Sequence, residues 1–194
     1  MEKVSYALGL SLGNNLLGSG VETLDYDQIA RGIKDVMEKN KPDMSYEEAQ
    51  TVINDFFQTI QTKMSEKGEK EGKAFLETNA KREEVIILPS GLQYEVITVG
   101  TGAKPKASDS VKVHYHGTTI DGKVFDSSVK RGEPATFGVT QVISGWVEAL
   151  QLMPVGSKWK LFIPSDLAYG AQGAGQAIAP YSTLIFEVEL IDIV

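Results

Sequence analysis

The chain has no cysteine and only two histidines among 194 residues. Without thiols there is no disulfide, no thiolate nucleophile and no cysteine-based metal site. Two histidines fall short of a zinc site unless carboxylates complete it. No apolar run approaches the roughly 20 residues that a membrane-spanning helix needs. Basic residues are in the minority, 19 against 26 acidic ones, for a net charge of −7. That balance argues against nucleic acid and anionic membrane as partners, because both require a basic face. The first residues lack a basic start followed by a continuous apolar stretch, so they do not read as a signal peptide. Cytoplasmic residence is therefore expected, or periplasmic if a leader has been removed. What remains is a globular composition, 42% hydrophobic and 23% charged, enough for one or two domains with a real core.

The composition changes near residue 85. Before it, apolar residues recur at helical spacing. Tyr6, Leu8, Leu10, Leu12, Leu16 and Leu17 support a first helix, which Gly18-Ser19-Gly20 ends. Asp25 or Asp27 caps a second, with Ile29, Ile33, Val36 and Met37. Ser45 and Glu48 form a capping box before a third, striped by Val52, Ile53, Phe56, Phe57, Ile60 and Met64. Beyond Met64 the stripe thins into lysines and glutamates, which reads as a solvated continuation to about Lys81 that spaces two domains. A charged flexible linker is the alternative, and Gly68 and Gly72 each weaken the helix by about 1 kcal/mol relative to alanine. Three short helices give little area for a self-sufficient core, so residues 1–85 are expected to pair with a second copy. Gly9 and Gly13 would let another helix approach closely. The alternative is a monomer whose helices pack on the second domain.

After residue 85 the pattern is strand and turn. Strands are expected at 92–99, 110–119, 124–127, 135–139, 158–163 and 183–193, with one short helix at 146–152. This gives an α+β fold: a helical N-terminal domain (1–85) with a long connecting helix, then a twisted antiparallel half-barrel wrapped on one short helix (86–194). Within it, Val111, Val113 and Tyr115 alternate with Lys112, His114 and His116, so one strand face is apolar and the other wet. Asp121 and Gly122 mark a tight hairpin turn. The return strand delivers Phe125 beside a single acid, Asp126, with no activated nucleophile nearby.

The familiar catalytic signatures fail on context. Residues 9–13, G-L-S-L-G, match a nucleophile elbow, but that motif needs a preceding strand and here lies in a helical pattern. His114 and His116 could share a metal with a borrowed carboxylate, yet surface histidines are the favoured reading. Residues 170–175, G-A-Q-G-A-G, lack the Lys-Ser/Thr pair of a phosphate loop and read as a flap bordering a site. Tyr115, Phe125, Val142, Ile143, Trp146, Tyr169, Ile178 and Phe186 are left as a candidate apolar site beside Asp126. They could equally be plain core, but Val142-Ile143-Ser144-Gly145-Trp146 sets a large ring at a helix start, where it can floor a pocket.

With these motifs the chain resembles the FK506-binding-protein (FKBP) family of peptidyl-prolyl cis-trans isomerases. The resemblance spans about residues 90–194 through V-H-Y-H-G, D-G-K-V-F-D-S-S, V-I-S-G-W-V-E-A-L, M-P-V-G-S-K, I-P-S-D-L-A-Y-G and S-T-L-I-F-E-V-E-L. Residues 1–85 resemble the helical dimerisation extension of the bacterial branch related to the macrophage infectivity potentiator. The resemblance implies a cofactor-free and metal-free isomerase acting on proline-containing polypeptides, with macrolides of the FK506 type as inhibitors. It implies catalytic roles for Tyr115, Asp126, Ile143 and Tyr169, and substrate contacts from Phe125, Arg131, Phe137, Val142, Trp146, Ile178 and Phe186. Trp146 would be the floor, and the Ile143 N–H and Tyr169 hydroxyl would take substrate carbonyls. Asp126 would pair with Tyr115 and Arg131. Ala135, Gln141 and Ala174 depart from the family pattern, which bears on inhibitor affinity and on the residue preferred before proline. A dimeric holdase with a weak or vestigial pocket is the competing function.

Overall fold

The three apolar stripes fold as three helices. In the computed structural model, which describes every residue except Gln176, they are α1 (Glu2–Gly18), α2 (Tyr26–Glu38) and α3 (Tyr46–Asn79). Asp25 caps α2, its side chain accepting from the Asp27 and Gln28 N–H groups. Lys39 ends that helix in the left-handed conformation at φ 58°. The Glu48 N–H donates to Ser45 Oγ at 3.1 Å, half of the expected capping box. The Gly9–Gly13 motif lies inside α1, where no nucleophile elbow can form.

The chain divides into two compact units, Met1–Met64 and Ser65–Val194, so the division falls inside α3. In the first unit Gly20, at φ +83°, lets the turn after α1 press on Ile60 and Met64. Val21 is the only fully buried apolar residue of that unit among the described residues.

Beyond Met64 the solvated spacer is corrected. Gly72 and Asn79 of α3 are buried, and residues 65–79 pack on the sheet that follows. Phe75 meets Phe162 with ring centroids 6.0 Å apart. Asn79 Nδ2 donates to Gln93 Oε1 at 2.9 Å, and Gln93 Nε2 donates to the Leu76 carbonyl at 3.0 Å. Arg82 reaches Glu95 at 2.7 Å and lies over the Phe162 ring. The charged sequence hides this seat, because its anchors are two glycines, an asparagine and one phenylalanine.

The second unit is an antiparallel sheet of β1 (Ile86–Ile87), β2 (Gln93–Thr98), β3 (Ser110–Thr119), β4 (Val124–Ser127), β5 (Ala135–Gly138), β6 (Lys158–Ile163) and β7 (Leu184–Ile193). The order is β1-β2-β6-β7-β3-β4, with β5 also paired to β3. Two helices join it, α4 (Ser128–Arg131) and α5 (Ser144–Leu152). The strand expectations hold to within a residue or two at each end, while β1 and α4 are additions. Alternation sends Val111, Val113 and Tyr115 of β3, Leu161 and Ile163 of β6, and Phe186, Val188 and Leu190 of β7 to one face. There they bury Trp146, Ala149 and Leu150 of α5. Full burial of each such large side chain contributes about 1.5–3 kcal/mol. Residues 65–79 of α3 cover part of the other face, at Phe162 and Gln93, and Arg82 just beyond the helix reaches Glu95.

The expected turn differs in detail. Gly122 alone takes positive φ, at 83°. The Gly122 N–H donates to the Thr119 carbonyl, and the Thr119 N–H to Lys123. This is a three-residue loop closed by a left-handed glycine.

Candidate functional site

The inward face of the sheet ends in a cluster of rings. Tyr115 comes from β3, Phe125 from β4, Phe137 from β5 and Phe186 from β7, and α5 brings Trp146 beneath them. Trp146 meets Phe186 edge to face at 5.2 Å and Tyr115 at 5.5 Å. Phe137 stands at 89° to the Trp146 plane, and Phe125 at 84° to Phe186. Edge-to-face packing of this kind leaves little rotational freedom and fixes a surface of set shape. Trp146 is 3% exposed, and its Nε1 is buried without a hydrogen-bond partner among the described residues. Ile178 is also buried within the cluster, and Val142 and Ile143 are half-buried against it.

A polar corner adjoins the rings. The Tyr115 hydroxyl donates to Asp126 Oδ2 at 2.5 Å. Arg131 Nη1 donates to Asp126 Oδ1, and Nη2 donates to the Tyr115 oxygen at 2.8 Å. The guanidinium also lies 5.5 Å from the centre of the Tyr115 ring. Burial pushes the Asp126 carboxyl up, but the hydrogen bonds from Tyr115 and Arg131 outweigh it and hold the group below its ordinary range. Burial and then the Asp126 hydrogen bond push the Tyr115 hydroxyl up. Asp126 is thus a carboxylate at neutral pH and Tyr115 a neutral phenol. Neither is poised to exchange a proton with a substrate.

Ile143 caps α5 with extended backbone, and its carbonyl accepts from Trp146 and Val147. Its own N–H has no acceptor among the described residues. Tyr169 precedes the short turn Gly170–Gln172, is 40% exposed and joins none of the ring contacts. The structure therefore brings seven of the expected residues together with Trp146, adds Asp126 and Arg131 through Tyr115, and leaves Tyr169 outside the ring contacts.

Sequence reasoning missed what holds these groups. Ser127 caps α4 by accepting the Lys130 N–H, and Gly132 ends that helix at φ 81°. This single turn aims Arg131 back at Asp126. Serine at one end and glycine at the other were a legible helix signal. Ser128, fully buried, accepts the Tyr115 N–H at 2.8 Å. The two histidines expected at the surface are half-buried, with His114 Nδ1 at Ser128 Oγ and His116 Nδ1 at Ser127 Oγ. Gly117 is a second omission: a Cβ there would sit 2.7 Å from Phe125 and 2.8 Å from Phe186. Gly145 is a third, since its Cβ would fall 2.5 Å from Ile163 and lift α5 off β6.

Two surface grooves lie away from the rings. One, of about 350 Å³, is on the wet face around His116, Lys160, Ile185 and Glu187. The other, of about 290 Å³, runs beside Tyr94 and Trp159. Those two rings stack on each other at 4.2 Å and 4°, so no slot opens between them. The cluster over Trp146 offers what neither groove does, several rings converging beside an unengaged backbone donor.

Comparison with known proteins identifies the family. Residues 101–191 match the family model of FKBP-type peptidyl-prolyl cis-trans isomerase, and residues 1–96 match the domain amino-terminal to it. The chain is 47% identical over 194 residues to an FKBP-type 22 kDa peptidyl-prolyl cis-trans isomerase of Escherichia coli, covering 98% of this chain and 94% of that one. It is 45% identical over 199 residues to the outer membrane protein MIP of Legionella longbeachae, covering 99% and 85%. The crystal structure of FkpA from Escherichia coli superposes with a TM-score of 0.73 at 40% identity, covering 98% of this chain and 95% of that one. Fold, rings and relatives thus lead to one conclusion: the chain belongs to the FKBP-type peptidyl-prolyl cis-trans isomerases and carries that activity, with the FKBP-associated helical domain before it.

Proposed function

We propose that the X-Pro bond turns on the ring cluster over Trp146, and that the residues gathered there divide the work by position. The observation that carries this is the pairing of a buried aromatic floor with the unengaged Ile143 N–H at its edge. Trp146 takes the prolyl ring, with Phe125, Phe137, Val142, Ile178 and Phe186 as walls. The Ile143 N–H takes a substrate carbonyl, and the Tyr169 hydroxyl at the rim takes another. Asp126, fixed by Tyr115 and Arg131, faces the carbonyl of the rotating amide. Its charge is held in place before substrate arrives, so it needs no reorganisation.

Rotation has a barrier of about 18–20 kcal/mol, set by amide resonance, and the uncatalysed step takes tens of seconds or longer. An apolar floor strips water from the amide and disfavours its charge-separated planar form. A shape that fits the twisted amide better than the planar one lowers the barrier without a covalent step. Trp146→Ala is expected to lower kcat/KM on an X-Pro peptide about tenfold or more, a loss of about 1.4 kcal/mol. Asp126→Asn should lower it as well. Wild-type rates in both variants would remove the site from these residues.

Dimerisation we assign to the helical region expected over residues 1–85, through its first unit Met1–Met64, and catalysis to 86–194 together with the second half of α3 that packs on the sheet. Support comes from the exposure of the first unit's apolar side chains: Tyr6, Leu8 and Leu17 of α1 are each more than 60% exposed in the single chain, and a second copy would cover them. Gly9 and Gly13 have open space around them, enough for another helix. The holdase reading is not favoured, because the ring cluster and its polar corner are intact. FK506-type macrolides are expected to bind the same floor. Ala135 packs against the cluster and Ala174 pairs with Ile178, while Gln141 folds back on Gly138, so affinity and residue preference are set by a smoother wall. The name of the Legionella relative supports an address in the cell envelope over the expected cytoplasmic one. Fractionation of cells producing the protein decides between them.

A further inference from the structure

The two glycines of α3 that weaken it as a helix have a use in the fold. A Cβ at Gly68 would lie 2.4 Å from the Pro180 carbonyl oxygen. A Cβ at Gly72 would lie 2.5 Å from Thr183 Oγ1. Both distances are far inside van der Waals contact, so only glycine lets α3 approach this loop. Thr183 is itself 3% exposed, walled in on its other sides.

The loop is tight and connects directly to the site. Tyr181 holds a left-handed φ of 55°, a conformation unusual for a bulky residue. Its N–H donates to the Gly170 carbonyl at 2.8 Å, tying the loop to the start of the glycine-rich flap. Two residues upstream of Pro180, Ile178 pairs with Ala174 through N–H groups at 2.8 and 3.1 Å from the opposing carbonyls. Ile178 is 5% exposed and packs in the ring cluster. On the other side, α3 is pinned to the sheet by the hydrogen bonds of Gln93 with Asn79 and the Leu76 carbonyl and by the Phe75–Phe162 contact. The helix is thus a fixed seat, the loop rests on it, and Ile178 is what the loop carries.

We infer that Gly68 and Gly72 are positioning residues for catalysis: they seat the 179–183 loop on α3 and thereby set where the Ile178 wall and the flap stand over the Trp146 floor. This rests on the proposed site, in which Ile178 is a wall. It makes residues 65–79 part of the catalytic unit, although their sequence reads as a spacer.

Helix propensity alone gives the opposite sign, which makes the test decisive. Alanine is a better helix former than glycine, so a spacer helix would be stabilised by Gly72→Ala with catalysis unchanged. With the seat in place, Gly72→Ala in the full chain is expected to lower kcat/KM on an X-Pro peptide about threefold to tenfold, chiefly through KM, since a wall is misplaced by a fraction of an ångström. Amide exchange at Ala174 and Ile178 should quicken in the same variant. Thr183→Ala removes the obstructing Oγ1, so in that background Gly72→Ala should lose most of its effect on both readouts. Gly68→Ala meets backbone oxygen and should not be rescued. If Gly72→Ala alone does not fold, recovery of folded, active Gly72→Ala/Thr183→Ala supports the seat, and failure to recover overturns it. A higher thermal midpoint with wild-type kcat/KM in Gly72→Ala overturns it, as does a loss that persists unchanged in the Thr183→Ala background. Faster exchange with unchanged catalysis also overturns the catalytic role. Trp146→Ala, run in parallel, reports on the site itself and is independent of the seat.

Discussion

The two units of this chain use apolar residues in opposite ways. In Ser65–Val194 they converge: Leu161, Ile163, Leu184, Val188 and Leu190 are all within 1% of full burial. In Met1–Met64 Val21 is buried, whereas Val52, Ile53 and Phe56 of α3 are 55%, 49% and 41% exposed. A sheet closed on a helix can satisfy its own apolar face. Three helices of this size cannot, and their stripes are left for another surface. One unit encloses its apolar residues, and the other leaves most of them exposed in the single chain.

That contrast can be broken most forcefully in the core. Leu161→Ala should cost about 2–5 kcal/mol in urea unfolding, by an amount independent of protein concentration. Leu8→Ala should shift the midpoint only in a concentration-dependent way. Equal, concentration-independent losses at both positions would erase the difference between the units. Gly117→Ala comes next: its methyl meets the Phe125 and Phe186 rings, and overpacking should cost about 1–3 kcal/mol. The ring-proton shifts of Phe125 and Phe186 should move with it, and an unaltered spectrum would show slack in the cluster. Leu8→Glu with Leu12→Glu should halve the mass seen by light scattering while isomerisation of a short peptide stays within about twofold, because buried charge opposes association but the floor is untouched. A double variant that retains its mass would place the pairing surface elsewhere.

The smallest expected effect is that of pH. Asp126 has its carboxyl held below the ordinary range in the folded protein. Its contribution is therefore complete above the unfolded value of about 4 and is lost as pH falls through the lower folded value. The urea midpoints of wild type and Asp126→Asn should differ most at neutral pH and converge below about pH 4. Asp126 and Arg131 side chains are 44% and 47% exposed, so solvent screening keeps the gap small. A gap that widens on acidification would show the carboxyl to be raised.

Strands were legible where alternation was strict, as in β3 and β7, because one face is buried and the period is two. Helices were legible from stripes and caps at Asp25 and Ser45. β1 was too short to show a period. The α4 turn was missed although Ser127 and Gly132 announce it, because only its fold back onto Asp126 gives the signal a purpose. The histidines keep the wet face that alternation gave them, and only the fold shows that Ser128 and Ser127 hydrogen-bond their rings there.

The sequence by itself determined the division into helical and sheet halves, the hairpin and the family motifs, since each follows from local period, turn chemistry or residue identity. Tertiary structure alone decided that Gly68, Gly72, Gly117 and Gly145 are places of contact and not of weakness. It also decided that the second half of α3 belongs with the sheet. A glycine's meaning depends on what approaches it, and that is a property of distant parts of the chain brought within an atom's width.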